Sequence, residues 1–504
     1  MYLQGLEGFP ISVEADVSDG LPGYIFVGYL ASEVRESQDR VRTAIRNLGI
    51  SLPPKKVTIN LSPADLRKEG TGFDLAIAVA ILQAYGLTLP GITDDTVFVG
   101  ELGLDGKVKG IPGILALVSW ARQYGYSKVF LPRENLREAS VIEGIGLVGV
   151  ECLAEVFLML QGNKEIPRLE SHERPELIER FNCYDVDFSE VNGQTVLRRA
   201  AEVAAAGKHN LLMIGPAGSG KTMIARRMPT ILPHLELEEC IEISKIYSVC
   251  HLLSEQEPLI VNRPFRAPHH SISPQALAGG GSRPKPGEIS LASGGILFLD
   301  EFPEMGVAAL ETLRQPLEER NITISRVYGT VCYPANAQLI AAMNPCKCGH
   351  FPNLERCSCS ISQRNRYLSR ISRPILDRID ICVEAAAVTY EEIIDQRQNE
   401  SSESIRKRVE EARRIQTERF KGRSIRCNSE MSGKQVREFC SINNEESDFM
   451  KTIFEDMGLS ARMYDKILKI ARTTADLEGR ETIEHKDLCE AVSYVRVRNK
   501  YWKN

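Results

Sequence analysis

Apolar and polar residues alternate near the start of the chain with the period of a strand. Ile11-Ser-Val-Glu-Ala-Asp-Val17 puts an apolar side chain at every second position, which predicts a half-buried β-strand. Tyr24-Ile-Phe-Val27 follows a Leu21-Pro-Gly23 turn, a charged helix is expected over 34–48, and Lys56-Val-Thr-Ile-Asn-Leu61 reads as a third strand. The stretch 74–82 is apolar on every side and predicts a buried helix, with another strand over 97–102. Up to about residue 160 the pattern is that of one α/β unit. Three later apolar runs read as buried strands: Leu211-Leu-Met-Ile214, Ile296-Leu-Phe-Leu299 and Gln338-Leu-Ile-Ala-Ala-Met343. Two alternating arms around Tyr328-Gly329 predict a β-hairpin. From about residue 390 the period becomes helical. Ile405, Val409, Ala412 and Ile415 form one stripe, and Phe449, Ile453, Phe454 and Met457 another; Ser460 suits the N-cap of the next helix.

Each of the three apolar runs ends in residues with chemistry. The first leads into Gly215-Pro-Ala-Gly-Ser-Gly-Lys-Thr222 and a helical stretch from Met223, the spacing of a P-loop. Glycines let successive backbone N–H groups converge on a phosphate chain, and the helix N-terminus adds positive potential. Gly215, Pro216, Ala217, Gly218, Ser219, Gly220, Lys221, Thr222 and Met223 are thus expected to cradle a nucleoside triphosphate. Lys221 would reach the β- and γ-phosphates and the Thr222 hydroxyl would ligate Mg²⁺. The second run ends in Asp300-Glu301, a Walker B pattern about 80 residues downstream. Asp300 would hold Mg²⁺ through water, and Glu301 would orient and polarise the attacking water. The third run ends in Asn344, which could set that water against the γ-phosphate.

Composition limits the setting. The chain has 504 residues, enough for about three domains. It is 43% hydrophobic and 26% charged, with no apolar run long enough to span a bilayer, and its start lacks the basic and apolar segments of a signal peptide. A cytoplasmic protein with no membrane contact is expected. The net charge of -5 argues against a generally basic nucleic-acid binder, so any such contact must be local. Four of thirteen cysteines cluster as Cys346, Cys348, Cys357 and Cys359, which suits a structural S₄ zinc site, with a reduced, unligated loop as the alternative. His269-His270 could suggest a metal, but neighbours on an extended chain point to opposite sides, so a shaped loop is the better reading.

The stretch from Arg263-Pro-Phe-Arg-Ala-Pro-His-His270 through Gly279-Gly-Gly-Ser-Arg-Pro-Lys-Pro-Gly287 to Asp300-Glu-Phe-Pro-Glu-Met305 resembles the ComM/YifB family of magnesium-chelatase-like AAA+ proteins. The resemblance implies an α/β fold in parts: a Lon-protease-like α/β domain over 1–162, a linker over 163–186, a P-loop core with a parallel sheet over 187–388, and a helical lid over 389–504. The N-terminal part is similar to the proteolytic domain of Lon through Gly70-Thr-Gly-Phe-Asp-Leu75 and Gly100-Glu-Leu-Gly-Leu-Asp-Gly-Lys-Val108. Leu115 falls where the catalytic lysine belongs, and no serine occurs over 68–75. This domain is therefore expected not to be a protease and to serve as a scaffold or a surface for a protein partner.

Further roles follow from the resemblance. Val191-Asn-Gly-Gln194 is similar to a turn that lies against adenine, or is a plain helix entry. Asn344 takes the sensor 1 role. Arg378 is the arginine supplied to the neighbouring subunit's ATP, with Arg373 in reserve, and Arg462 is the sensor 2 arginine; Arg472 stays undecided. A trans-acting arginine implies a ring, expected to be a homo-hexamer. The hairpin is similar to one in MCM helicases whose basic residue touches DNA, and Arg326 holds that position; an exposed arginine without a ligand is the alternative. The basic, aromatic end, Arg496-Val-Arg-Asn-Lys-Tyr-Trp-Lys503, reads as a frayed tail or a platform for single-stranded nucleic acid. ATP hydrolysis driving movement on DNA, as in ComM branch migration, is the leading expectation. A chelatase-like or protein-remodelling ATPase is the alternative.

Overall fold

The computed structural model describes residues 1–166, 184–254, 256–326, 329–387 and 399–502. Most of the expected linker, the 388/389 boundary, Tyr328 at the hairpin tip and Lys503 lie outside the described residues. Two compact units result. One comprises Met1–Phe181, Glu236–Val261 and Thr323–Tyr333; the other comprises Asn182–Leu235, Asn262–Ile322 and Pro334–Asn504.

In the first unit, Ser12–Ser18 runs antiparallel and Gly23–Val27 parallel to the central strand Lys56–Ser62. A second, parallel sheet is ordered Gly146–Val150, Lys128–Pro132, Thr96–Phe98. The helix Asp74–Ala84 is buried nearly all round, as its unbroken apolar sequence requires. Its one charge is answered: Arg40 makes two bonds to Asp74, at 2.7 and 3.0 Å, and the Leu102 N–H donates at 3.1 Å. Two pieces of later sequence join this unit. The helix Leu237–Val249 is tied in by the Gly113 N–H donating to the Ser248 carbonyl at 3.1 Å and by a Ser248–Glu138 hydrogen bond. Val331, on the second hairpin strand, presses on Gly5, where a Cβ would come within 2.1 Å and φ is +68°. Only glycine fits that turn without displacing the hairpin.

The second unit is built on five parallel strands: β1 (Leu211–Ile214), β2 (Phe265–Arg266), β3 (Ile296–Leu299), β4 (Gln338–Met343) and β5 (Ile381–Glu384). Their order is β2-β3-β4-β1-β5. β1, β3 and β4 are buried at every position, so they read as continuous apolar runs rather than alternating ones. The helices α1 (Lys221–Ile231), α2 (Ala461–Leu477) and α3 (His485–Tyr501) belong to the same unit, and the helical C-terminal region shares one hydrophobic core with the sheet. This is a mixed α/β architecture with a parallel core. Ligand sites in such sheets lie beyond the carboxyl ends of the strands.

The C-terminal tail corrects the frayed reading of it. α3 continues to Tyr501, whose hydroxyl donates to Glu384 at 2.6 Å, while Lys500 reaches the same carboxylate at 2.7 Å. The Trp502 Nε1–H donates to the Leu368 carbonyl at 3.1 Å. Amphipathic aromatic tips with partners in reach dock instead of fraying.

Candidate functional site

β1 delivers the glycine-rich loop to the carboxyl edge of the sheet. Gly215 is packed against the end of β5: a Cβ there would stand 2.6 Å from the Ala385 Cβ and 2.7 Å from its carbonyl oxygen. Gly218 and Gly220 are needed for a different reason. Their φ values are +76° and +79°, and the space where a Cβ would project is open. The Ser219 hydroxyl donates to the Pro216 carbonyl at 2.8 Å, closing the loop on itself. Pro216 is half-buried, and Ala217 and Met223 are exposed. Lys221 is buried, and its Nζ donates to the carbonyls of Gly215 at 2.9 Å and Pro216 at 2.8 Å. Burial lowers its pKa, and the Asp300 carboxylate opposes that.

The end of β3 faces this loop. The Thr222 Oγ1 donates to Asp300 Oδ2 at 2.8 Å, joining residues that are 78 apart in sequence. A hydroxyl and a carboxylate in contact at the mouth of a glycine-rich loop are the oxygen set that Mg²⁺ takes beside substrate phosphates. β4 lies between β1 and β3, in register Ile214↔Met343 and Leu299↔Ala341. Asn344, the next residue, is therefore set on the same edge as Gly215 and Asp300. The Gly215 N–H donates to the Met343 carbonyl at 3.1 Å. Glu301 has left-handed backbone (φ +49°), and its N–H donates to Asp300 Oδ1 at 2.8 Å.

One partner of this edge was not legible in the sequence. Glu301 Oε2 lies 2.8 Å from His270 Nδ1. The histidines themselves correct the argument that neighbours must diverge. The chain turns here, with the Ile272 N–H donating to the His269 carbonyl at 3.0 Å, and the two rings lie 4.1 Å apart. His269 Nδ1 pairs with the Ser271 hydroxyl at 2.8 Å. The loop is shaped by its arginines. Arg263 reaches the carbonyls of Pro233, Gly294 and His234, and Arg266 makes a two-point pair with Glu288 at 2.6 and 2.7 Å.

The remaining arginines divide. Arg378 bonds the carbonyls of Arg314 at 3.1 Å and Pro374 at 2.6 Å and pairs with Glu318, all within its own chain. Arg373 is exposed on the short helix Arg373–Leu376. Arg462 is exposed on the first turn of α2, behind its Ser460 cap, and no hydrogen bond among the described residues ties it to the P-loop. Arg472 is settled as structural: it is buried, donating to Asp476 at 3.0 Å and to the Glu481 carbonyl at 2.6 Å. Arg326 ends the first hairpin strand, exposed, donating to the Ser325 carbonyl at 2.9 Å. The Gln194 side chain donates to the Ala386 carbonyl at 2.7 Å, just past β5.

The four clustered sulfurs lie within 4.8 Å of one another. Cys346 is 3.3 Å from Cys348 and 3.7 Å from Cys357, and Cys348 is 3.6 Å from Cys357. Four sulfurs bound to one zinc ion at about 2.3 Å would be about 3.8 Å apart, so the set fits a closed tetrahedral site. The His350 N–H, first among several donors, holds the Cys348 thiol down to about 6. Cys357 goes the other way, to about 11: the Cys359 N–H favours its thiolate, but burial and the facing sulfurs outweigh it. A bound cation would stabilise the thiolate forms of the set.

Leu115 is buried, and Arg40 and Asp74 form an ion pair at 2.7 Å. Lys68 is buried with its amine on the Pro63 carbonyl, and burial lowers its pKa. Among the described residues no helix is long and apolar enough to cross a membrane.

Comparison with known proteins agrees with this architecture. The family models described as magnesium chelatase subunit ChlI, subunit ChlI of Mg-chelatase and the ChlI C-terminal region match residues 187–393, 13–135 and 399–495. The chain is 40% identical over 495 residues to YifB of Escherichia coli, covering 97% of this chain and 95% of that protein. It is 38% identical over 494 residues to the competence protein ComM of Haemophilus influenzae, with the same coverage of 97% and 95%. Lon protease of Finegoldia magna is 31% identical over 143 residues, 27% of this chain and 18% of that protein. Near-full-length identity of this order, with chelatase matches along three segments, identifies the chain as a member of the ComM/YifB family of magnesium-chelatase-like AAA+ proteins.

Proposed function

We propose that the chain is an ATP-hydrolysing ring motor that acts on DNA. The observation that carries the ATPase reading is the 2.8 Å contact of Thr222 with Asp300 beside the folded-back Lys221. A magnesium ion bound there would neutralise charge developing on the transferred phosphoryl group. Lys221 would release its loop carbonyls and take up phosphate oxygens beside the N–H groups of the glycine-rich loop. Glu301 would accept the proton of the attacking water, oriented by Asn344. Arg462 would close on the γ-phosphate from the lid. Arg378, or the exposed Arg373, would serve the neighbouring subunit's site, which requires a ring, expected to have six members. A structural zinc ion in the Cys346–Cys348–Cys357–Cys359 set would brace the chain just after Asn344. We place the protein in the cytoplasm.

Competence in the ComM relative supports DNA as the partner, and Arg326 on the hairpin is the residue proposed to touch it. The N-terminal unit would act as a scaffold or partner surface, not a protease, because a Ser–Lys pair is missing from the matching positions. The second reading, an ATPase working on a partner protein, draws on the chelatase description of all three matched segments. Arg326→Ala separates them. Loss of DNA-stimulated turnover with basal turnover kept supports the DNA motor, and DNA-indifferent turnover supports the partner protein.

A further inference from the structure

We infer that Arg498 is a positioning residue that sets Arg378 for the neighbouring subunit's ATP and ties it to the lid helix carrying Arg462. The inference rests on the ring ATPase reading above. Arg498 lies near the end of α3, and its side chain is 14% exposed. Its Nη2 donates to Asp377 Oδ1 at 2.6 Å, and its Nη1 lies against Met463 Sδ. Asp377 directly precedes Arg378, and Met463 directly follows Arg462. One guanidinium thus touches the immediate neighbours of both arginines proposed to reach phosphate. Its planar fork lets separate N–H groups serve the two contacts at once.

The other flank of Arg378 is held by the lid as well. On α2, the Lys466 Nζ donates to the Ile379 carbonyl at 2.8 Å and pairs with Asp380 at 3.0 Å. Between these contacts, the Arg378 carbonyl accepts from Asn210 Nδ2 at 2.8 Å, just before β1. The Arg378 backbone is therefore anchored at the root of the sheet, while the residues on both sides of it are held by α2 and α3. A lid that closes on a nucleotide pulls on both flanks, so the state of one site reaches the arginine offered to the next. Of the two contacts, that of Arg498 can be removed with less damage. Asp380 also faces the buried His209 ring at 3.5 Å, whereas Asp377 is 38% exposed and its loss of a partner costs less stability.

The test compares full-length wild type with Arg378→Ala, Glu301→Gln, Arg498→Met, which keeps an apolar stem, and Arg498→Lys, which keeps a cation for Asp377. It measures kcat and KM for ATP, and nucleotide binding by a fluorescent analogue. Loss of a hydrogen bond to a charged group is expected to lower kcat roughly tenfold in Arg498→Met, with KM and nucleotide binding nearly unchanged. Arg498→Lys should recover most of that rate. Mixed rings give the readout that a merely structural role would not move. Glu301→Gln subunits have no turnover of their own but offer Arg378 normally, so adding them should raise the rate per Arg498→Met subunit. Unchanged kcat in Arg498→Met beside a loss in Arg378→Ala overturns this assignment alone, as does a mixture that fails to raise the rate. If Arg498→Met does not fold, Asp377→Asn removes the same bond from the other side, and unchanged kcat there overturns the assignment equally. Turnover kept in Arg378→Ala would take the trans role from Arg378 and this inference with it. Wild type without Glu301-dependent turnover would sink the ATPase reading itself.

Discussion

Lys221 spends its ammonium on two carbonyls of its own loop, so each bond it makes to phosphate replaces one already present. The net gain is that of a charge-assisted bond, about 1.5–3 kcal/mol. Lys221→Ala is accordingly expected to weaken ATP binding roughly 10- to 100-fold by titration calorimetry; unchanged affinity would remove it from the phosphate site. Asp476 is the clearest structural residue. It is buried and accepts from Arg419 at 2.7 and 2.5 Å, Arg472 at 3.0 Å and Asn428 at 2.8 Å. Removing one side of such a buried pair costs about 3–5 kcal/mol, because the other charge remains. Asp476→Ala should show that loss in denaturant unfolding. At this scale local spacing alone was enough to single out Lys221 and Thr222, and the fold sets Thr222 against Asp300. Spacing could not decide Arg472 or find the His270–Glu301 pair, because both depend on where the chain turns.

Between elements, the joint of β5 and α2 is ionic. Asp380, just before β5, lies 3.0 Å from Lys466 on α2 and 3.5 Å from the buried His209 ring. Although burial opposes it, Lys466 and His209 hold the Asp380 carboxyl below the usual carboxylate range. Burial lowers the His209 pKa, more than Asp380 raises it. Both folded values are depressed, so below the unfolded values the unfolded chain binds more protons than the folded one. His209 contributes destabilisation as pH falls below about 6.5, and Asp380 as it falls below about 4. Unfolding followed across that range should show stability falling with acid. The fall below about pH 4 should be shallower in Asp380→Asn, and an equally steep slope there would contradict the assignment. The cysteine loop makes a second element-scale prediction. One zinc ion per chain is expected by metal analysis, and none in a Cys346→Ser/Cys357→Ser variant. The buried strands and the helical stripes were readable at this scale because burial imposes a period. The docking of Tyr501 and Trp502 was not, since a short basic and aromatic tail has no period to betray its partners.

Over the whole molecule, the P-loop unit gathers its site from three strands, and two segments of the same sequence, Glu236–Val261 and Thr323–Tyr333, cluster with the N-terminal region instead. No pattern of hydrophobicity reports that exchange, because it is made by contacts hundreds of residues apart. It puts the hairpin bearing Arg326 in the unit with the Lon-like region. If the active site is shared between subunits, mixing Lys221→Ala with Arg378→Ala protein should restore part of the turnover each has lost, since one interface then has both residues intact. Restoration by Arg373→Ala instead would move the trans role to that residue. The central claim is tested most directly by ATPase rate with and without single-stranded and forked DNA, at two salt concentrations, beside Glu301→Gln. The account predicts Glu301-dependent turnover, stimulated by DNA and less so at high salt as phosphate contacts are screened. Glu301-dependent turnover indifferent to DNA at both salt concentrations would contradict a DNA motor and leave an ATPase that works on a protein.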